Sequence, residues 1–143
     1  MTIYDILEEI ASNGASKNKL NILIKHKSNY LLKHVFYLAY SKSIRFGIKK
    51  VPELEKAAGK LSLDAVLTFM ESKLATREIT GNAAIDALKT QLEGLSHDDQ
   101  IVAIRVLTKD LRIGASESSA NKVWKDLIPA QPQMLASPSS EKN

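Results

Sequence analysis

The sequence predicts an all-α protein: a compact bundle of about seven helices in one domain, followed by a proline- and serine-rich tail. Three observations predict it. Apolar residues recur at three- and four-residue spacing along most of the chain, small polar residues that cap helices stand just before those runs, and no stretch reads as a convincing strand. At 143 residues, 44% hydrophobic and 25% charged, the chain has an ordinary globular composition and is long enough to bury a core without cross-links.

Thr2 is placed to cap a first helix carrying Ile3, Ile6, Leu7 and Ile10, with Asn13-Gly14 as its stop because both residue types tolerate the left-handed conformation. Ser16 is expected to cap a second helix with Leu20, Leu23 and Ile24. Asn29 opens a third, apolar almost all round through Leu31, Leu32, Val35, Phe36, Leu38 and Ala39, and so expected at the centre. Residues 41–59 are less regular, with Gly47 and Pro52 among Lys42, Arg45, Lys49 and Lys50. Ser62 caps an amphipathic helix with Leu63, Val66, Leu67, Met70 and Leu74. After the break at Thr80-Gly81-Asn82, a helix with Ile85, Leu88 and Leu92 runs to Gly94. Ser96, with Asp99 three residues on, opens the next, which carries Val102, Ile104 and Leu107 and is expected to stop at Gly114. Ser116 is placed to cap a short last helix through Val123 and Trp124. Residues 1–128 form the domain, and the glutamines, serines and prolines of 129–143 read as a linker or tail.

Cysteine is absent, which removes disulfides, thiolate zinc sites and a cysteine nucleophile and fits a reducing, cytoplasmic setting. His26, His34 and His97 show no metal-ligand spacing, so neither metal nor cofactor is expected in this chain. The N-terminus carries Asp5, Glu8 and Glu9 where a signal peptide needs an apolar core, and no apolar run approaches the length of a membrane span.

The net charge is +4, unevenly placed. Between Ile10 and Pro52 there is no acid, while Lys17, Lys19, Lys25, Lys27, Lys33, Lys42, Arg45, Lys49 and Lys50 all fall there. Such a stretch has two readings, a polyanion footprint or a solvated lysine face. The interleaved aromatics Tyr30, Phe36, Tyr37, Tyr40 and Phe46 stand at helical spacing and read as core more than as a base-stacking platform. Two glycine turns lead into helix N-termini, where free N–H groups suit a phosphate: Thr80-Gly81-Asn82, and Arg112-Ile113-Gly114-Ala115-Ser116 followed by Asn121 and Lys122. Each also reads as an ordinary interhelix turn. Trp124 reads as a core anchor. His97 with Asp98 and Asp99 has the composition of an acid–base site, but acids at a helix start simply favour the positive dipole end.

The order TREITGNAAI, then KDLRIGASESSANKVWKDLIPAQPQMLAS, resembles the N-terminal DNA-binding domain of ATP-dependent DNA ligases of the T-even phage type. The opening ILEEIASNGASKNKLNIL and the later YSKSIRFGIKK are similar to that family as well. The resemblance covers nearly the whole chain. It implies a helical domain that embraces nicked duplex DNA from the minor-groove side without reading sequence, in replication, repair and recombination. The matched contact residues are Thr80, Gly81, Asn82, Arg112, Gly114, Ala115, Ser116, Asn121 and Lys122, joined by Lys17, Arg45, Lys49 and Lys50 from the basic stretch. Catalysis in this family uses ATP, Mg²⁺ and a lysine in a K-x-D-G motif, which does not occur in these residues. The chain is thus expected to be a monomer that binds nicked duplex and is no enzyme by itself. The alternative is a helical module docking on an acidic protein such as a sliding clamp.

Overall fold

The computed structural model describes residues 2–114, 117–125 and 127–128. Among them are seven α-helices and no strand. Helix α1 (Ile3–Ala11) starts with a reciprocal capping box: Thr2 Oγ1 accepts from the Asp5 N–H at 3.1 Å, and the Thr2 N–H donates to Asp5 Oδ2 at 3.0 Å. That pairing holds the Asp5 carboxyl below its ordinary pKa. Helix α3 (Tyr30–Tyr40), α4 (Leu63–Phe69) and α6 (His97–Leu107) are capped by Asn29, Ser62 and Ser96, as their sequence positions predict.

Other expectations fail for local reasons. Helix α2 (Ser16–Lys25) has Ala15 at its N-cap and no side-chain cap, because Ser16 already lies inside the first turn. Neither Asn13 nor Gly14 takes a positive φ. The chain leaves α1 through Ser12 in right-handed geometry, with Ser12 Oγ and Asn13 Nδ2 donating to the Glu9 carbonyl. Helix α5 (Gly81–Glu93) begins one residue earlier than Asn82, on Thr80. The Ser62-capped helix changes pitch: after α4 comes a π-helical turn, Met70–Leu74, in which the Ala75 N–H reaches back to Met70 O at 3.0 Å. Ser72 and Thr76 each donate to the carbonyl four residues back, at 2.7 Å, a side-chain competition that bends helices. Helix α7 (Glu117–Val123) follows; the Ser116 cap and the tail from Pro129 lie outside the described residues.

Helix α3 is buried as expected, through Leu32, Val35, Phe36, Leu38 and Ala39, while α6 is a second central element. Helix α6 packs against α1, α3, α4 and α5, whereas α3 touches α6 and α7. Its Val102, Ala103, Val106 and Leu107 are buried, and Gln100 binds the carbonyls of Lys56 and Leu92 through Nε2. Through Gln100 and the Ala58–Leu61 amides, which donate to Glu93, Gly94 and Leu95 carbonyls, the irregular segment 41–61 is fastened to the end of α5. Trp124 closes the other side. Its ring stands 5.5 Å from Phe36, and its indole N–H donates to Lys27 O at 2.8 Å.

Helix α6 ends seven residues before the expected Gly114 stop. Thr108 is the C-cap and Lys109 follows at φ +63, with Lys109 N–H to Val106 O and Asp110 N–H to Arg105 O completing a Schellman closure. Glycine is the usual occupant, since a side chain costs free energy in this conformation. Lysine stands here because its ammonium reaches three carbonyls, Leu38 and Ser41 and Ile44, at 2.6–2.7 Å. It caps the C-terminus of α3 and the turn beyond. Burial, and then the nearby Arg45 charge, push its pKa down to about 8.

Replacing Lys109 by glycine therefore separates the two effects. Lys109→Gly relieves the left-handed strain, yet it is expected to lose about 1–3 kcal/mol because three carbonyls lose a charged donor. The folded chain releases this proton near pH 8, while an unfolded lysine holds it to about 10.5, so the parent's advantage grows as pH rises between those values. Urea unfolding at pH 7 and pH 10 checks both. A glycine variant as stable as the parent, or a gap that closes with pH, contradicts this role.

Candidate nucleic-acid interface

Three cations in the fold are used from beneath, on backbone carbonyls. Lys109 holds the turn after α3, as described. Arg77, itself at φ +64, donates through Nη1 to Arg45 O at 2.7 Å and to Leu74 O at 2.8 Å. Lys19 is 8% exposed and donates to Ile10 O at 2.9 Å and Ile113 O at 2.8 Å, tying the end of α1 to the 109–114 turn.

These tethers organise the expected contact residues. Arg45 and Lys49 line one groove together with Gly47, Ile48, Arg77 and Lys109, over buried Phe46. Lys109 also sits 5.8 Å from the Phe46 ring. Lys50 follows, exposed. Neither glycine turn lines this groove, but each follows one of its tethers along the chain. Thr80 comes three residues after Arg77 and Arg112 three after Lys109, so each turn starts within roughly 11 Å of a tethered Cα. Lys17 is exposed on α2, two residues before the tether Lys19.

The two turns differ in construction. Thr80, Gly81 and Asn82 are exposed, Gly81 is at φ +62, and Thr80 gives α5 no side-chain cap. The first-turn N–H groups of α5 up to Ala83 thus have no acceptor among the described residues, and a Cβ on Gly81 would meet nothing within 4 Å. The second turn is tighter. Arg112 is exposed at φ +58, its N–H bound to Asp110 Oδ1 at 2.9 Å, and Gly114 is at φ +67. A Cβ on Gly114 would stand 3.3 Å from Lys19 Nζ. Ala115 and Ser116 lie outside the described residues. Lys122 is exposed on α7, but the Asn121 amide is engaged, accepting the Ile128 N–H at 2.8 Å and donating to Ile128 O at 3.3 Å.

Sequence reasoning missed Arg77 and Lys109, and it counted Lys19 only as surface charge. Lys109 falls just past an apolar helical run, where a lysine can reach a helix's last carbonyls; that was the available signal. Among the described residues no cluster of histidine and carboxylate side chains could hold a metal, and no helix is long and apolar enough to cross a membrane.

A helical body with these features defines a DNA-ligase-related domain when set beside known structures. It matches the solved ligase structure Pmar-Lig_PreS3 with a TM-score of 0.76 at 28% identity, over 90% of this chain and 32% of that one. Pmar-Lig_Pre matches with 0.74 at 26% identity, over 88% and 30%. No family model matches the chain. In sequence it is 50% identical to the DNA ligase of Enterobacteria phage T4, and equally to that of phage T6, over 98% of its own length. The chain is therefore homologous to the phage DNA ligases and corresponds to an N-terminal DNA ligase domain; it spans 29% of the length of those relatives.

The Arg45–Lys50 loop depends on a close approach. Gly47 is at φ +74, and a Cβ there would fall 2.9 Å from Arg77 Nη1 and 3.0 Å from Cζ. Gly47→Ala should cost about 2–4 kcal/mol, from left-handed strain plus overpacking. In an Arg77→Ala background the same change should cost only the strain, about 1–2 kcal/mol. A double-mutant cycle by thermal unfolding reads the difference, and additive costs would show that the two residues do not press on one another.

Proposed function

We propose that this domain grips nicked duplex DNA without reading its sequence, and serves as the DNA-binding part of an ATP-dependent DNA ligase. The observation that carries the reading is a groove lined by the exposed cations Arg45 and Lys49 on a loop that Arg77 and Lys109 tether through its carbonyls, with a glycine turn three residues along the chain from each tether. Arg112 is exposed in the second turn, and the start of α5 carries no side-chain cap. Exposed cations neutralise phosphates and release counterions, which gives affinity independent of base sequence. Free N–H groups at a helix start accept a phosphate for the same electrostatic reason, and glycine leaves room for it. The homology to DNA ligases supports DNA as the ligand.

In this reading Thr80, Gly81, Asn82, Arg112, Gly114, Arg45, Lys49 and Lys50 contact the backbone. Lys17 and Lys122 extend the footprint, and Asn121 shapes the end of α7. Ala115 and Ser116 join them by resemblance alone. The chain supplies grip and alignment. Adenylation by ATP with Mg²⁺ belongs to the parent ligase, because the K-x-D-G lysine does not occur in these residues.

Titrating a nicked duplex at several salt concentrations tests the proposal. Log affinity should fall linearly with log salt by about 0.9 for each phosphate neutralised, and duplexes of different sequence should bind alike. Arg112→Ala and Arg45→Ala should each flatten the slope by about one phosphate. Gly81→Glu should weaken binding further, since it adds bulk and negative charge at a phosphate seat while helical content is retained. A flat salt response, or a strong preference for one sequence, overturns the reading.

A further inference from the structure

A second basic surface lies at the α2–α3 corner, and the contact residues proposed above do not use it. Tyr30, at the start of α3, is 78% exposed, against the core position its spacing suggests, and Ile24 at the end of α2 is 51% exposed. Both line a groove with Lys25, Lys27 and Lys33 over the edge of Trp124. Among the described residues no carboxylate lines this groove, and none of the three ammonium groups has a hydrogen-bond or ion-pair partner there. The groove continues past Tyr30 and Lys33 into a second hollow bounded by His34, Tyr37 and Glu71. Glu71, the acid there, is already bound to His34 Nε2 at 2.9 Å. The floor is fixed, because the Trp124 indole is pinned to Lys27 O and packs at a tilt against Phe36.

We infer that this groove binds a single-stranded stretch of nucleic acid, with a base stacked on Tyr30 and phosphates held by Lys25, Lys27 and Lys33. Exposed aromatic faces interleaved with unpaired lysines are what a sequence-tolerant single-strand path requires: bases supply the apolar contact, and the backbone supplies regularly spaced negative charge. A duplex has its bases stacked inward and offers Tyr30 nothing to stack on. An acidic peptide would meet the lysines equally well, so the experiment includes one. The groove is independent of the duplex grip, since its argument uses none of the glycine turns or the Arg45 loop.

Trp124 is the only tryptophan, so its fluorescence reports on the groove directly. We would titrate the whole chain with a twelve-residue oligothymidylate, a blunt hairpin duplex and a twelve-residue polyglutamate, each at low salt. The oligothymidylate should change the tryptophan signal, and should still bind when the hairpin is saturating. Tyr30→Ala alters an exposed side chain, so the fold should persist by circular dichroism. It should weaken the single strand roughly five- to a hundredfold, the range for losing one stacked base, with hairpin affinity unchanged. Lys33→Ala should weaken the single strand and reduce its salt dependence. Single-strand affinity unchanged in Tyr30→Ala, displacement of the oligothymidylate by the hairpin, or tighter binding of polyglutamate would each overturn the inference. Loss of hairpin binding alone would count against the duplex grip and leave this groove standing.

Discussion

The structure depends on cations turned inward onto backbone carbonyls. A helix ends with carbonyls that nothing in the helix can satisfy, and a bundle of short helices joined by irregular turns has many such ends. Here Lys109 takes the end of α3 and the turn beyond it, Arg77 takes the turn before α5 and the Arg45 carbonyl, and Lys19 takes the end of α1 and the 109–114 turn. Each joins segments far apart in sequence, the widest being the 94 residues between Lys19 and Ile113. Two of the three sit in the left-handed region that L-residues avoid. That cost is offset because each side chain satisfies several carbonyls that the helices leave open.

This changes the meaning of the charge pattern. An acid-free stretch with nine basic residues suggests nine phosphate contacts, but Lys19 is spent on carbonyls and six of the others divide between two places. Arg45, Lys49 and Lys50 belong to the tethered loop, whereas Lys25, Lys27 and Lys33 belong to the α2–α3 corner. Rigid support is what makes the loop useful. Exposed cations on a floppy segment lose conformational entropy when they bind, and the Arg77 and Lys109 tethers remove that loss in advance.

What was legible in the sequence is local. Thr2, Asn29, Ser62 and Ser96 were readable as caps because a cap depends on three or four neighbouring residues. Gly81 and Gly114 were readable as turns, and both do take positive φ. What was not legible is tertiary. The hydrophobicity of α3 pointed to the centre, where it lies, but nothing in the mixed sequence of α6 marked that helix as packing against α1, α3, α4 and α5. No pattern marks Lys109 as left-handed, since its compensation lies in carbonyls some seventy residues earlier. Tyr30 has the spacing of a core residue and is exposed because it opens its helix at the corner. The fold class was thus readable from the chain, and the likeness to ligases from the turns, while the supports behind the interface needed three dimensions.

The central claim is that loops held by cations bound to their backbone carbonyls present a preformed grip for duplex DNA, and amide hydrogen exchange tests it most directly. In the free chain the Ser41 and Ile44 amides, bonded to Tyr37 O and Ser41 O beside the Lys109 ammonium, should be protected, and should exchange faster in Lys109→Gly. Added nicked duplex should then slow exchange at 45–50, at the α5 start from Gly81 to Ala83, and at 112–114. Protection by DNA confined to other surfaces, or Ser41 and Ile44 amides that exchange freely in the free chain, would contradict the account.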